Sequence, residues 1–336
     1  MNNNLANLSP TSVKKEIKML VPEINLVEEL LYQTLSRDQG TIGEIGTYFL
    51  ESGGKRLRPL LIIISGKAIS PLTPEQEKNL IAAGAAVELI HMASLVHDDI
   101  IDQSLYRRGQ PAVHTLWGAK GAVLAGDFLF AKAFDILVSH NLFSILQLMV
   151  QAIQEMCQGE IFQAEQLFQT EQMEKEYFHR IEQKTGKLLS ACCQSGAMIA
   201  RGKQAHISAL KNYGTYLGYT YQIVDDLLDF RGNSLDLGKP VCQDLRQGNI
   251  TLPILYLLQH QKKGSWVRKI IETKRLQPFH CTEIQKILQE EGLLLRTEEV
   301  ARSCATQAQN ELLRLPAGLN RTLLEMILEE ALKRTS

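Results

Sequence analysis

Acidic residues stand in two short clusters that follow apolar, helix-like segments. The first is Asp98-Asp99-Ile100-Ile101-Asp102 and the second is Asp225-Asp226-Leu227-Leu228-Asp229; we call them the first and second aspartate pentads. On a helix, the outer aspartates of a pentad lie one turn apart on the same face, where they repel each other unless a cation lies between them. An all-oxygen ligand set with open positions suits Mg²⁺, which takes waters or substrate phosphates as its remaining ligands. All six aspartates are therefore predicted metal ligands.

Basic residues near the pentads provide the positive charge that a bound phosphate needs. Gly53-Gly54-Lys55-Arg56-Leu57-Arg58-Pro59 places three cations after a glycine turn, and Arg107-Arg108 follows the first pentad. Arginine binds phosphate oxygens in a bidentate way, and lysine acts as a point charge. His91 lies two helical turns before Asp98 on the same face, where it can donate to a phosphate. Further candidates are Lys184-Thr185-Gly186-Lys187 and Gly238-Lys239-Pro240.

Apolar residues recur at helical spacing along most of the chain, which predicts an all-α fold. We expect helices at 24–36, 41–52, 74–102, 121–139, 143–170, 174–200, 204–230, 249–262, 280–291, 296–314 and 319–333, with loops at 103–120 and 232–248. Thr73 is the expected N-cap of the long helix that ends in the first pentad. With no repeat or linker in the sequence, residues 1–336 are predicted to form one domain, a large helical bundle around a central cavity.

The composition limits the class of protein. The 336 residues are 45% hydrophobic and carry a formal charge of −1, so no overall charge favours nucleic acid or an anionic membrane. The six cysteines show no metal-binding or disulfide-framework spacing, and free thiols are typical of a reducing compartment. The N-terminal residues lack the apolar segment of a signal peptide, and no apolar run reaches the roughly 18 residues of a membrane span. We therefore expect a cytoplasmic protein without a transmembrane segment.

Taken together and in this order, the motifs resemble the trans-isoprenyl (polyprenyl) diphosphate synthase family, in particular its medium- and long-chain all-trans members. The resemblance extends from about residue 50 to 255 and covers Gly53–Pro59, Glu88–His91, His97–Asp102, Arg107-Arg108-Gly109, Gly126-Asp127, Lys184-Thr185-Gly186, Tyr221–Asp229 and Gly238-Lys239-Pro240. Each motif is weak alone, but the ordered set is specific. Tyr221 is a departure, because the family more often has Phe there; an aromatic ring is kept.

The resemblance implies an all-α, homodimeric trans-prenyltransferase that joins isopentenyl diphosphate head to tail to an allylic diphosphate, here farnesyl or geranylgeranyl diphosphate. By this analogy, Mg²⁺ bound by the pentads grips the allylic diphosphate, and Arg107, Lys184 and Lys239 contact the same group. The residues that would hold isopentenyl diphosphate are Lys55, Arg58, His91 and Arg108. The resemblance further places Lys184, Thr185 and Gln222 beside the reacting carbons, as catalytic residues.

The length of the product should depend on the space beneath the first pentad. Ala93 and Ser94 lie about one helical turn below Asp98, and both are small. No aromatic residue follows further down this face, through Ile90, Val87, Ala86, Gly84 and Ala83. One helical turn matches roughly one isoprene unit, so a product of roughly C30 to C45 is expected. Such a chain would serve as a quinone side chain, with hand-off of the product at a membrane surface.

Several alternatives remain open at this stage. A short-chain synthase would make farnesyl or geranylgeranyl diphosphate, and a catalytic subunit of a heteromeric synthase would need a second protein. A terpene cyclase also uses an aspartate clamp, but it would lack the Gly53–Pro59 cluster. Glu88-Leu89-Ile90-His91 and Glu176-Tyr177-Phe178-His179 match the E-x-x-H signature of di-iron bundles. That interpretation leaves both pentads unexplained.

Overall fold

Helices dominate the part of the chain that the structure, a computed structural model, describes: residues 20–36, 40–231 and 242–333. In chain order they are α1 (Glu23–Ser36), α2 (Thr41–Glu51), α3 (Leu57–Lys67), α4 (Pro74–Ile101), α5 (Val113–Ser139), α6 (Phe143–Glu165), α7 (Glu174–Ile181), α8 (Lys187–Ile199), α9 (Gln204–Arg231), α10 (Gln243–Gln247), α11 (Leu252–Leu258), α12 (Gly264–Glu272), α13 (Pro278–Glu290), α14 (Leu293–Leu312) and α15 (Leu319–Lys333). Strands β1 (Tyr106–Arg107) and β2 (Gln110–Pro111) form a small antiparallel hairpin. The all-α fold prediction is confirmed.

Helix α4 carries the first pentad at its C-terminal end. Thr73 caps its N-terminus: the hydroxyl accepts from the Gln76 backbone, and the Gln76 side chain accepts from the Thr73 backbone. Such a reciprocal cap satisfies two backbone donors that a helix start leaves unpaired. By length and composition α4 would suffice to cross a membrane, but 72% of its most apolar window is buried inside the protein. It is the central helix of a packed core, and its Asp102 is the C-cap.

The described residues divide into two compact units. The first draws on Met1–Val150, Cys192–Ser208 and Pro316–Leu324, and within it α4 packs along α5 and against α1 and α3. The second draws on Gln151–Ala191, Ala209–Leu315 and Glu325–Ser336. Its apolar core includes Tyr177 and residues from α9, α11, α13 and α14. The expectation of a single domain with a central cavity stays a prediction.

Several predicted boundaries are wrong for identifiable reasons. The expected 103–120 loop contains the β1–β2 hairpin and the start of α5, which is kinked at Gly118 where φ is 74°. The expected helix 174–200 is interrupted by a π-helix, Glu182–Gly186, and the expected helix 143–170 ends at Glu165. Only α11 forms within 249–262, and α12 was not predicted. Residues 232–241 of the second expected loop lie outside the described residues, and α10 follows them.

Candidate active site

A cavity opens in the first unit between α2, α4 and the β1–β2 hairpin. The charged and titratable side chains that line it are Arg56, Glu88, His91, Asp99, Arg107 and Arg108. Helix α4 contributes Glu88 and His91, which lie on the same face of the helix. It also contributes Asp99, about two turns after His91. With three guanidinium groups against two carboxylates, the lining of this cavity carries a net positive charge, which favours an anion.

The glycine turn before α3 allows two arginine side chains to approach the same piece of backbone. Gly53 has a φ of 70°, in the left-handed region that glycine adopts without strain. Arg108 donates to the Gly53 carbonyl. A Cβ atom at Gly54 would lie 3.0 Å from the Nη1 atoms of both Arg56 and Arg108. The turn therefore leaves room for the cations that the sequence predicted to lie together.

Arg56 and Glu88 form a buried ion pair behind the cavity. Nη1 of Arg56 lies 3.0 Å from Oε1 of Glu88, and the two side chains are 7% and 4% exposed. Nε of Arg56 lies 3.5 Å from Glu28 on α1. A charge that is taken out of water needs such partners. Through these two pairs, Arg56 at the start of α3 connects α1 and α4 within the first unit. Neither Glu88 nor Glu28 was predicted as part of the site, although Glu88 had been noted within the E-x-x-H pattern.

His91 is held in its neutral form. Burial lowers its pKa well below the usual range, and the charges of Arg58, Arg108, Arg107 and Arg56 lower it further. A neutral imidazole in a cationic pocket can donate one hydrogen bond to an anion without adding repulsion among the arginines. Lys55, also predicted to bind an anion, is exposed, and Arg58 is partly buried. Their binding roles stay predictions.

The aspartates of the first pentad differ in their surroundings. Asp99 is 2% exposed, and its Oδ1 accepts from Arg107 at 2.7 Å from Nε and 2.6 Å from Nη2. Asp98 is partly buried and Asp102 is exposed. Arg107, predicted to contact a diphosphate, is thus paired with a carboxylate of the pentad. The structure gives Asp99 a protein partner and leaves the outer two aspartates on the more accessible side.

The predicted chain-length residues lie on α4 as expected. Ala93 is fully buried, and the partly buried Ser94 donates to the His91 carbonyl at 2.9 Å. Nearer its N-terminus, α4 packs against other helices instead of lining open space. A Cβ atom at Gly84 would lie 3.2 Å from Val27 and 3.4 Å from Pro59, so this turn packs against α1 and α3. The assumption that the whole face of α4 lines open space is wrong at Gly84.

The second pentad lies in the last two turns of α9, in the second unit. Asp225 is exposed, whereas Asp226 is only 2% exposed and accepts hydrogen bonds from Tyr177 Oη at 2.7 Å and Gln222 Nε2 at 3.0 Å. Asp229 accepts from the backbone of Gln243 at 2.9 Å and of Asp244 at 3.2 Å, at the N-terminus of α10. Two of these three predicted metal ligands therefore support the protein's own structure.

Burial and neighbouring charge shift the acidity of this region. Burial raises the pKa of Asp226 to about 7; the charge of Asp244 raises it too, and the two hydrogen bonds that Asp226 accepts act in the opposite direction. Asp244 has a pKa raised to about 6, by burial first and then by Asp229. The charge of Lys184 lowers that pKa. Asp244 was not predicted; it lies 15 residues beyond Asp229, and only the fold brings it to the pentad.

A π-helix presents Lys184 and Thr185. Such irregular turns often occur at functional sites. A Cβ atom at Gly218 would lie 2.6 Å from the Cα atom of Gly186, so glycine lets α9 approach the π-helix closely. Thr185 donates to Gln222 Oε1 across this contact at 3.0 Å. Two of the three predicted catalytic residues, Thr185 and Gln222, are therefore hydrogen-bonded to each other.

Lys184 is anchored from α6. Its Nζ lies 2.7 Å from Glu160 and donates to Gln163 at 3.0 Å. Neither residue was predicted, because no local motif links a lysine to a partner more than 20 residues earlier in the chain; the Lys184–Gln163 separation is 21. Lys239, the remaining predicted diphosphate ligand, lies outside the described residues.

Comparisons with known proteins agree with these motifs. The polyprenyl synthetase family matches residues 39–289. The chain belongs to this family. It is 34% identical over 328 residues to heptaprenyl diphosphate synthase component 2 of Bacillus subtilis strain 168, covering 96% of this chain and 90% of that one. The predicted family and enzyme class, a trans-prenyltransferase, are confirmed.

Solved structures of polyprenyl synthases have the same fold. A decaprenyl diphosphate synthase from Rhodobacter capsulatus matches with a TM-score of 0.89 and 28% identity, over 96% of this chain and 99% of that one. A polyprenyl synthase from Caulobacter crescentus CB15, complexed with calcium and isoprenyl diphosphate, matches with a TM-score of 0.87 and 29% identity, over 96% and 98%. The isoprenoid synthase-like fold expected from the sequence is thereby confirmed.

The donor chemistry of this polyprenyl synthetase fits a hard divalent cation. Among the described residues, no three His, Cys, Asp or Glu side chains converge into a complete metal site. Asp98 and Asp102 in the first unit, and Asp225 in the second, each offer carboxylate oxygens. Such a donor set suits a metal that takes most of its ligands from water and phosphate. It does not suit the di-iron alternative, and Glu176 accepts from the Met173 backbone at 2.7 Å, at the start of its own helix.

Proposed function

We propose that this protein condenses isopentenyl diphosphate head to tail with an allylic diphosphate and makes a medium- or long-chain all-trans-polyprenyl diphosphate. The proposed product is roughly C30 to C45, on the basis of about one isoprene unit per helical turn of α4. The observation that carries the proposal is the cavity where Arg107, Arg108 and His91 converge beside the first pentad. The two substrates are both diphosphates. In a member of this family, a cationic cavity would bind one of them, and the neighbouring carboxylate pair would bind the other through Mg²⁺.

The cavity is the proposed binding site for isopentenyl diphosphate. Arg108 would bind its phosphate oxygens, with His91 donating as the neutral imidazole. The family resemblance adds Lys55 and Arg58, which are not among the residues that line the cavity. Glu88 pairs with Arg56 rather than facing the ligand, so net positive charge remains for the substrate. Holding the second substrate in one orientation converts its attack on the allylic carbon into an effectively intramolecular step.

The allylic diphosphate is proposed to bind through Mg²⁺, for which the family resemblance assigns Asp98, Asp102 and Asp225 as ligands. Bound Mg²⁺ would neutralise the charge that develops on the departing diphosphate oxygens. Calcium and isoprenyl diphosphate accompany the similar protein from Caulobacter crescentus, which supports a divalent cation here. Lys184, and Lys239 by family resemblance, would contact the same diphosphate as fixed cations.

The second unit is proposed to stabilise the carbocation. Cleavage of the allylic C–O bond leaves a cation on carbon, and the double bond of isopentenyl diphosphate attacks it to form the new C–C bond. The released diphosphate takes the proton that restores the double bond. Thr185 and Gln222 would orient their oxygen dipoles toward the cation, while the apolar helices exclude the water that would quench it.

The proposed product length rests on two observations. Similar proteins include a heptaprenyl synthase component and a decaprenyl synthase. Ala93 and Ser94 are small and lie about one turn below Asp98 on α4. We propose farnesyl or geranylgeranyl diphosphate as the primer, a quinone side chain as the use of the product, and hand-off at a membrane surface. A short-chain synthase is the competing interpretation.

A cytoplasmic homodimer is the proposed assembly. Helix α5 exposes large apolar side chains, namely Leu116, Val123, Leu124 and Val138. Leu124 and Val138 are two heptads apart, so they share one face of the helix. An exposed apolar stripe of this kind is typical of a surface covered by another subunit. Sedimentation measurements should give twice the mass of the chain, and Leu124→Glu should give the monomer.

The experiment that tests the function uses the purified protein alone. It is incubated with isopentenyl diphosphate, Mg²⁺ and farnesyl or geranylgeranyl diphosphate, and the products are sized by chromatography. We expect a series of products that ends at one medium or long chain. A reaction that stops at farnesyl or geranylgeranyl diphosphate would contradict the proposed length and keep the enzyme class.

The second candidate function is the catalytic subunit of a heteromeric synthase. The observation in its favour is the name of the relative from Bacillus subtilis, a component 2 that covers 96% of this chain. The same assay separates the two candidates. Elongation by the pure protein favours a self-sufficient enzyme, whereas inactivity that is relieved by a second protein from the source cells favours the heteromeric one.

Substitution of Ser94 tests the product length directly. Ser94→Phe places a ring about one turn below Asp98, where it should stop the growing chain early. We expect shorter products with little change in the rate of the first condensation. Ser139→Phe, at the far end of α5, is the matched control and should leave product length unchanged. An unaltered product distribution from Ser94→Phe would show that the chain grows elsewhere.

A further inference from the structure

A chain of four side chains runs through the second unit from a buried tyrosine to a predicted catalytic threonine. Tyr177 Oη lies 2.7 Å from Asp226 Oδ2, and Asp226 Oδ1 lies 3.0 Å from Gln222 Nε2. Gln222 Oε1 in turn lies 3.0 Å from Thr185 Oγ1. The residues come from α7, α9 and the π-helix, so three separate elements are joined by one set of hydrogen bonds.

The direction of every hydrogen bond in this chain follows from the carboxylate. In its ionised form Asp226 only accepts, so the NH₂ group of Gln222 faces it and donates to Oδ1. The amide oxygen of Gln222 then faces Thr185, whose hydroxyl must donate to it. Tyr177 donates to the second oxygen of Asp226 and prevents the carboxylate from rotating. The orientation of the Gln222 amide and of the Thr185 hydroxyl therefore depends on Asp226, through this series of hydrogen bonds.

The surroundings of Asp226 differ from those of a metal ligand. Tyr177 is 0% exposed and Asp226 is 2% exposed, and each carboxylate oxygen already accepts from a protein donor. Asp225, the neighbour in the same pentad, is exposed. Thr185 and Gln222 are partly buried, at the accessible end of the chain. Asp226 thus faces the protein interior while Asp225 faces the other way.

We propose that Asp226 and Tyr177 are positioning residues that fix the amide of Gln222 and the hydroxyl of Thr185, and that Asp226 is not a metal ligand. This inference rests on the proposed function, because it assigns Gln222 and Thr185 to the reacting carbons. Fixed dipoles stabilise a developing charge more than mobile ones, since they need no reorganisation at the moment of reaction. Loss of the anchor should therefore slow the chemical step and leave substrate binding intact.

Asparagine at position 226 makes the sharpest perturbation. Asn has one acceptor and one donor group, whereas Tyr177 and Gln222 both donate to the native carboxylate. If the oxygen of the new side chain still accepts from Tyr177, its NH₂ group faces Gln222. The amide of Gln222 must then rotate so that its oxygen faces position 226. The Gln222 NH₂ group then faces Thr185, and the hydroxyl must accept instead of donate. The dipoles at the reacting carbons reverse while the shape of the site is retained.

The test compares four variants in steady-state elongation, with the half-saturating Mg²⁺ concentration measured for each. Tyr177→Phe and Asp226→Asn should lower kcat by about ten- to hundredfold, the effect of misplacing a catalytic group. Their KM values and Mg²⁺ half-saturation should change by less than about twofold, as for an interaction made only in the transition state. Asp225→Asn should instead raise the Mg²⁺ half-saturation. Tyr256→Phe is the control, because Tyr256 is also buried in the second unit but contacts Glu174.

Two results would overturn the inference. One is an Asp226→Asn variant that needs as much extra Mg²⁺ as Asp225→Asn and recovers its kcat when Mg²⁺ is supplied. The other is a Tyr177→Phe variant whose kcat equals that of Tyr256→Phe. If Asp226→Asn does not fold, Tyr177→Phe decides alone, since it keeps the ring that fills the core. A wild-type protein that makes no product, either alone or with a second protein from the source cells, would refute the proposed function, a result distinct from either of these.

Discussion

The anion-binding cavity of the first unit and the hydrogen-bond chain of the second unit both hold the middle aspartate of a pentad, but by different means. Asp99 accepts from the guanidinium of Arg107 at the wall of a cavity rich in cations. Asp226 accepts from the neutral groups of Tyr177 and Gln222. The same five-residue pattern is therefore supported by charge in one unit and by neutral dipoles in the other.

This difference indicates a division of labour. We propose that the cationic cavity of the first unit serves a diphosphate group, with ion pairs such as Arg107–Asp99 holding its guanidinium groups in place. The oriented oxygen dipoles of the second unit would serve the carbocation, with the cation of Lys184 beside them. Within each pentad, the middle aspartate is buried and accepts from other side chains, whereas the outer aspartates are more accessible.

The largest expected effect comes from an outer aspartate of the first pentad. Asp98→Asn should lower kcat/KM by about a thousandfold, because a metal that neutralises the leaving group contributes several kcal/mol to the transition state. The half-saturating Mg²⁺ concentration should rise in the same variant. Asp135→Asn on the exposed face of α5 is the matched control and should retain full activity. Equal losses for Asp98→Asn and the control substitution would remove the metal role from this pentad.

Much of the architecture could be predicted from local sequence. The Thr73 cap and the apolar run behind it fix α4 to within a residue at each end, and α15 has the predicted bounds, Leu319–Lys333. Such features depend on neighbours in the sequence, where periodicity and capping act. By contrast, α12 has only nine residues between two turns, too short for its pattern to stand out.

The partners of the site residues could not be predicted in this way. Tyr177 meets Asp226 across 49 positions of sequence, and Arg56 meets Glu88 across 32. Buried polar residues carry no periodic signal, and their pairing depends on how helices from distant segments pack. Motif resemblance identified Thr185 and Gln222 as site residues, but only the fold shows that they are bonded to each other.

The next largest effect is on the free energy of unfolding. It distinguishes support by a buried ion pair from support by a neutral hydrogen bond. Glu88→Gln leaves the buried charge of Arg56 without its closest partner and should lower the free energy of unfolding by about 3 kcal/mol. Tyr177→Phe removes one hydrogen bond from a neutral donor and should lower it by about 1 kcal/mol. Denaturant unfolding measures both values. Arg302→Ala, which breaks an exposed pair with Glu298, is the control and should cost less than about 0.5 kcal/mol.

Equal costs for Glu88→Gln and Tyr177→Phe would contradict this comparison. They would mean that the first-unit cavity depends on shape and not on paired charge. A cost near zero for Glu88→Gln would further imply that Glu28 takes over the whole pairing with Arg56, from its present distance of 3.5 Å.

The smallest effect is a pH dependence of folding stability, which comes from His91 in the cationic cavity. Burial and four arginines hold the pKa of His91 well below its usual range, so the folded protein keeps this imidazole neutral in mild acid. The unfolded chain takes up a proton there as the pH falls below about 6.5. Protons bound only by the unfolded state favour unfolding, so stability is full above that pH and declines below it. His91→Gln removes this contribution, and its unfolding midpoint should fall less than that of the wild type between pH 7.5 and pH 5.5. Identical declines would mean that the arginines do not hold His91 neutral, and the charge-based account of the first unit would lose its support.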